Sequence, residues 1–334
     1  MVYCERKHHW GMDYIGATRI HNRDASGILV GLVDGGMDVT HRIFEGNLWT
    51  RNCHQHSPRQ GGSSRLEEVN AGRVIDFTQF SPDCSNQVSG SLAMNHGTQV
   101  ASIVGGRPVE GIFQGGVAHS LKILPLKVQP ISPEHAVDAI CMAIQYAIEQ
   151  EVNILNCSFI IYGKNDRLKS IFEKAIQSGM LIVAAAGNED ENLEEYPGYP
   201  ASLTSNSLIT VGAIQSGFPD HLSACSNEGA LVDIAAPGDG ELYLSAHKRV
   251  EHPPGKTSYA AAYVTGVAAL VWARLVDRSL TRREQTQKVK EVILCHARKV
   301  IPRLKTGNPN PRIKTWGDGN PILNTRFLGS GKDF

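Results

Sequence analysis

The 334-residue chain has no excess of charge of either sign, because 33 Lys and Arg balance 33 Asp and Glu. With a sequence pI near 7.2, it has no overall electrostatic reason to seek DNA, RNA or an anionic membrane, and nucleic-acid binding is set aside. Long hydrophobic runs are missing too. The longest, Ala260–Ala273, is interrupted by Thr265 and Gly266 and is too short to cross a bilayer. The opening residues MVYCERKHHWG contain no apolar stretch of a secretory leader. The seven cysteines (Cys4, Cys53, Cys84, Cys141, Cys157, Cys225, Cys295) are odd in number and include no CxxC pair. Cys141 and Cys157 sit in apolar runs and read as small core residues. Internal repeats and low-complexity tracts are absent. The expectation is a soluble, reduced, cytoplasmic protein without a membrane partner.

What is present is a folded globular composition, 41% hydrophobic and 20% charged. Short β-branched apolar runs alternate with helical patterns. Strands are predicted over Ile28–Val33, Leu121–Val128, Val152–Phe159, Met180–Ala186, Ser207–Ala213 and Leu231–Ala236. Helices are predicted from Pro133 (capped by Ser132, with Val137, Ile140, Ile144 and Ile148 on one face), over Asp166–Ser178, after Ser258, and over Thr281–Val300. Continuously apolar strands with intervening helices imply an α/β fold, a mostly parallel, doubly wound sheet covered on both faces. A single domain over residues 1–334 is expected. Residues 51–94, rich in Ser, Gly, Pro, Asn and His, read as a surface insertion. Residues 302–334 are loop-like, with WGDGNPILNTRFL able to tie down as a last packed segment.

Polar residues mark the ends of several of these elements, where α/β folds gather their sites. Asp34 follows the first strand in LVDGGMD, and His96 opens NHGTQVASIVGG. Asn188 follows a strand in AAAGNED, and Ser258 opens the long apolar helix of TSYAAAYVTGVAAL. Alone, each has a plainer reading: a turn Asp, a structural His, a turn Asn, a helix N-cap Ser. Together they supply what nucleophilic acyl transfer needs. That is a hydroxyl, a base to take its proton, a carboxylate to orient the base, and an amide to bind the oxyanion.

In that order, and with these words around the residues, the chain resembles the subtilisin-like serine proteases from about Trp10 to Leu328. VNILNCSF resembles the family's substrate-binding edge strand, and DIAAPG its late turn. The resemblance implies a serine endopeptidase with catalytic Asp34, His96, Ser258 and Asn188, and with Ser158, Phe159, Ile160, Gly187 and Glu189 lining the substrate. It implies no cofactor. A peptide or protein substrate is the expected partner. VDGGMDVTHRIFEGN is similar to cyanobactin-type maturation proteases, which makes a precursor peptide with a leader the particular candidate. General intracellular protein turnover, or peptide binding without cleavage, stand as alternatives.

The chain departs from the family pattern at Gly35 (commonly Ser or Thr), Gln99 (commonly His), Lys256 (usually Gly) and Ala262-Tyr263 (usually Pro-His). No metal site is expected. Cys53, His54, His56 and Cys84 match no common zinc spacing, and a solvated loop is the default. Ile43 and GGRPVEGIFQGG lack the ligands of the family's calcium site. The acidic run Glu189, Asp190, Glu191, Glu194 and Glu195 reads as a solvated loop, with Glu189 a possible carboxylate for a basic side chain before the scissile bond.

Overall fold

Residues of a strand point alternately to opposite faces of its sheet, so a run that is apolar at every position must be covered on both sides. The computed structural model describes residues 10–49, 75–76, 92–110, 113–128, 133–216, 218–238, 243–244, 250–251, 256–299, 314–315 and 321–329. Its parallel strands are β1 (Leu29–Asp34), β2 (Lys122–Lys127), β3 (Ile154–Cys157), β4 (Leu181–Ala185), β5 (Leu208–Gln215), β6 (Ile234–Pro237) and β7 (Pro321–Ile322). They lie in the order β2-β1-β3-β4-β5-β6-β7, each parallel to its neighbours. Ile75–Asp76 extends the β2 edge, and Arg298–Lys299 pairs antiparallel with β7 at the other.

The helices that cover the sheet are α1 (Leu92–Gly105), α2 (Pro133–Glu149), α3 (Asp166–Gln177), α4 (Thr257–Leu275) and α5 (Arg282–Cys295). Val30, Leu32, Leu181 and Val183 pack with Val100 and Val104 of α1 and Val264 and Leu270 of α4. Val33, Leu155 and Ile182 face the other way, onto Ile140 and Ile144 of α2 and Leu168 and Phe172 of α3. Each such side chain fully buried contributes about 1.5–3 kcal/mol. Every residue of α4 from Thr257 to Trp272 is buried. An all-round apolar helix of this kind belongs in the middle of a protein. No helix among the described residues is long and apolar enough to cross a membrane.

Several expectations need correction. VNILNCSF is not an edge strand: β3 lies between β1 and β4, inside the sheet. Only its continuation, Ser158–Ile160, leaves the ladder unpaired by any strand. Cys157 is fully buried, but Cys141 is only partly so. Ser132, the Cys53–His54–His56–Cys84 set, most of the 51–94 segment and most of 302–334 lie outside the described residues. Within the latter, Ile322, Leu323 and Phe327 are buried, so the last segment does pack.

Candidate active site

From β1 the chain first adds β2 on one side, then crosses back to place β3 on the other. The crevice opened by such a reversal lies beyond the carboxyl ends of the two central strands. Asp34 is the last residue of β1, and Ser158 directly follows β3.

His96 stands in the second turn of α1, rather than at its start. Its Nδ1 lies 2.8 Å from Asp34 Oδ1 and 3.0 Å from Oδ2. The backbone N–H of Gly35 donates to the same Oδ1 at 2.7 Å. The Asp34 side chain is 5% exposed and that of His96 29%, so the carboxylate is sheltered while the imidazole reaches the cleft. Two features of the local sequence hold this approach. Thr98 Oγ1 accepts a buried hydrogen bond from Asp38 N–H at 2.8 Å, stitching α1 to the loop after β1. Gly97 has no Cβ, and one placed there would lie 2.0 Å from the Gly36 carbonyl oxygen. Burial pushes the His96 pKa down. The charge of Asp34 and its hydrogen bond outweigh this, however, and leave it raised overall, while the Lys256 charge opposes the rise.

Ser258 is 5% exposed and is the second residue of α4. Lys256 is the N-cap, in extended conformation with no side-chain cap bond, so the N-cap reading of Ser258 is overturned. The Ser258 hydroxyl donates to the Ser158 carbonyl at 3.2 Å, and Ser158 Oγ donates to the Ser258 carbonyl at 3.1 Å. No hydrogen bond joins Ser258 to His96 among the described residues. Behind Ser158, Asn156 Nδ2 donates to its Oγ, and Thr265 Oγ1 of α4 donates to Asn156 Oδ1, each at 2.9 Å. This buried chain ties β3 to the body of α4.

Asn188 follows β4 by three residues. Its Oδ1 accepts from the Thr257 backbone N–H at 2.9 Å and from Thr257 Oγ1 at 3.2 Å. A backbone N–H can pair only with the amide oxygen, which fixes the orientation of the group and leaves Nδ2 as its free donor. Thr257 is thus a partner of the candidate site that motif reading missed; its one signal was its place just before Ser258.

The remaining sequence candidates are less uniform. Phe159 is half-buried and packs with the α2 and α3 core. Ile160 packs onto Gly198, where a Cβ would come within 2.6 Å of Ile160 Cγ1. Gly187, at φ +107°, leaves space occupied by Asn227 Nδ2, the Tyr162 hydroxyl and Glu189 Oε2. Glu189 is exposed, and its Oε2 already accepts from the Tyr162 hydroxyl and, at 2.7 Å, from Asn188 N–H. Burial and that bond push the Tyr162 pKa up to about 12. Glu189 is therefore a tethered carboxylate beside the cleft. Ile43 is fully buried core. Among the described residues no three His, Cys, Asp or Glu side chains group as a metal site.

A doubly wound parallel sheet, with a carboxylate–imidazole pair, a hydroxyl at a helix N-terminus and an anchored amide at its switch point, is the arrangement of the subtilisin-like serine proteases. Residues 25–317 match the family model described as the subtilase family, peptidase S8, and the chain belongs to that family. The major intracellular serine protease of Bacillus subtilis (strain 168) is 35% identical over 208 residues, covering 60% of this chain. The match spans 62% of that protein's length, less than two thirds. The intracellular serine protease of Paenibacillus polymyxa is 30% identical over 279 residues, 81% of this chain and 74% of that one. The solved structure of the prenylagaramide maturation protease PagA superposes with a TM-score of 0.62 at 24% identity, over 96% of this chain and 98% of that one. At that identity the likeness is one of fold.

Proposed function

We propose that this subtilase is a serine endopeptidase in which Ser258 is the nucleophile, His96 the general base and acid, and Asp34 the group that orients His96. Asn188 Nδ2 and the Ser258 N–H at the start of α4 receive the oxyanion. The observation that carries the reading is the sheltered Asp34 carboxylate at 2.8 Å from His96 Nδ1. It fixes the tautomer with Nε2 free to accept a proton and stabilises the imidazolium once formed. The Ser258 proton passes to Nε2 as its oxygen adds to the substrate carbonyl. His96 returns the proton to the departing amine, and water repeats the sequence on the acyl-enzyme. No step calls for a cofactor.

Ser158–Ile160 belongs to no strand and offers backbone for an extended peptide to join. The Ser158 carbonyl that now accepts the Ser258 hydroxyl is one acceptor such a peptide takes, which frees the hydroxyl for His96. Gly187 and Glu189 border the same cleft. Within this activity we favour site-specific processing of a precursor peptide. The support is the sequence around Asp34 and the fold shared with the prenylagaramide maturation protease PagA. Action inside the cell is supported by two relatives named as intracellular.

The test is covalent labelling by a fluorophosphonate. Labelling of Ser258 that disappears in Ser258→Ala, with the fold retained, is expected; labelling that survives the substitution refutes the assignment. Cleavage of a proteome-derived peptide library at one or a few related sites supports processing, whereas broad cleavage favours turnover.

A further inference from the structure

Tyr259 directly follows Ser258 and is 3% exposed. Its ring lies 5.7 Å from that of His96, centroid to centroid, with the planes inclined by 39°. Its hydroxyl donates to Gln99 Oε1 at 2.7 Å, and Gln99 is itself 4% exposed. His96 and Gln99 are three residues apart on α1 and so share one helix face. One side chain on α4 therefore touches two positions on the same face of α1: the ring meets the base, and the hydroxyl grips the next turn.

A tyrosine has only two side-chain torsions, and its hydroxyl has one proton to donate. Donating that proton to Gln99 fixes where the ring stands, and the ring limits where the imidazole can go. The nucleophile is the neighbouring residue on the same backbone. Gln99 was a departure from the family pattern with no role assigned by sequence; here it is the partner that Tyr259 needs.

We propose that Tyr259, anchored by Gln99, is a positioning residue that sets His96 relative to Ser258. The inference rests on the roles assigned above to His96 and Ser258. It carries an electrostatic consequence. When His96 takes the Ser258 proton it becomes a cation, and an aromatic ring within about 6 Å attracts it. Removing the ring while keeping the helix contact therefore makes His96 a weaker base.

The experiment measures Ser258 labelling by a rhodamine fluorophosphonate on the intact chain, from pH 5 to 9, as a limiting rate and a half-saturating concentration. Thermal unfolding is followed in parallel. Tyr259→Phe keeps the ring and loses the anchor; its limiting rate should fall by at least about threefold at unchanged half-saturation. Tyr259→Leu should lose about tenfold or more, and the acid limb of its pH profile should move down by roughly half a pH unit.

Gln99→Met and Tyr259→Phe should each lower the unfolding temperature. The double variant, which removes both ends of the Tyr259–Gln99 bond, should regain part of that loss. Its limiting rate should stay low. A rate that recovers together with stability in the double variant overturns the proposal and makes the pair a packing contact only. So does a fall smaller than threefold in Tyr259→Phe, or a change confined to half-saturation. Absence of labelling at Ser258 in the unaltered protein overturns the catalytic assignment itself, and this inference with it.

Discussion

Gly97→Ala is the sharpest perturbation that alters the chemistry of no candidate side chain. The added Cβ would lie 2.0 Å from the Gly36 carbonyl oxygen, 3.0 Å from its carbon and 3.3 Å from Asp34 Oδ1. Ordinary contact begins near 3.4 Å. The crowded atom is backbone, with no rotamer to relieve it, so α1 and the loop after β1 must separate by roughly 1 Å or more. That movement strains the Asp38–Thr98 bond and the Asp34–His96 pair together, because both cross the same gap. Overpacking should cost about 1–3 kcal/mol, and loss of the buried Asp38–Thr98 bond about 1 kcal/mol more. A displacement of that size between orienting carboxylate and base is worth about 10²-fold in rate. Urea unfolding and the limiting rate of fluorophosphonate labelling give the two numbers. A wild-type midpoint with a wild-type rate refutes the clash. A lowered midpoint with an unchanged rate shows the loop moving as one body with His96, and refutes the claim that Gly97 sets their approach.

Asn188→Ala should reduce kcat by about 10²–10³-fold with little change in KM, because the amide acts on charge that develops during the reaction; a change in KM alone would assign Asn188 to ground-state binding. Since the His96 pKa is raised and catalysis needs neutral imidazole, kcat/KM should fall as pH drops through a value above 6.5. Lys256→Met removes an opposing positive charge and should move that limb to higher pH, with the shift shrinking in high salt; no shift in low salt would contradict it. Burial, aided by the charges of Arg23 and Arg107, lowers the His119 pKa from 6.5 to about 4. Between those values the unfolded chain binds a proton that the folded chain refuses, so stability should fall as pH falls through that window. His119→Gln should flatten the urea midpoint between pH 7 and 4.5, and an unaltered pH slope would count against the assignment.

The fold was legible because the determinants of the sheet are local. A run such as Met180–Ala186 is apolar at every step, short, and bounded by Gly179 and Gly187, which marks a strand covered on both faces, and its neighbours repeat the pattern. Helix starts were legible where chemistry marks them, but the end of α5 was not: it stops at Cys295 rather than Val300, and Arg298–Lys299 joins the sheet. Thr281 and Glu284 form a reciprocal capping box at the start of α5, and Asn165 caps α3 by accepting from Leu168 N–H. The start of α4 is not marked in the sequence, because its N-cap, Lys256, offers no cap bond, whereas a serine, a common capping residue, stands two residues on. The position of β3 was misread for a different reason. Strand order is a property of crossovers, and nothing within VNILNCSF records that β1 and β4 flank it.

The site divides along the same line. Asp34, His96, Asn188 and Ser258 were legible as candidates because each has a distinctive word around it, although His96 lies one turn inside α1 rather than at its start. Thr257, Tyr259 and Gln99 were not, although Thr257 bonds Asn188 and the Tyr259 ring lies against His96. The Tyr259–Gln99 bond joins residues 160 positions apart, and the Thr257–Asn188 bond joins residues 69 apart. Neither tyrosine nor glutamine signals a site by its type, and Gln99 registered only as a missing histidine. Read in the fold, that substitution has a physical sense. Gln99 Oε1 is a buried acceptor on α1, three residues beyond His96, and Tyr259 beside Ser258 is long enough to reach it from α4. The two residues therefore should tolerate replacement as a pair far better than singly, which is a statement about stability. Catalysis asks more of them, because an apolar pair can fill the same space without fixing where the imidazole stands.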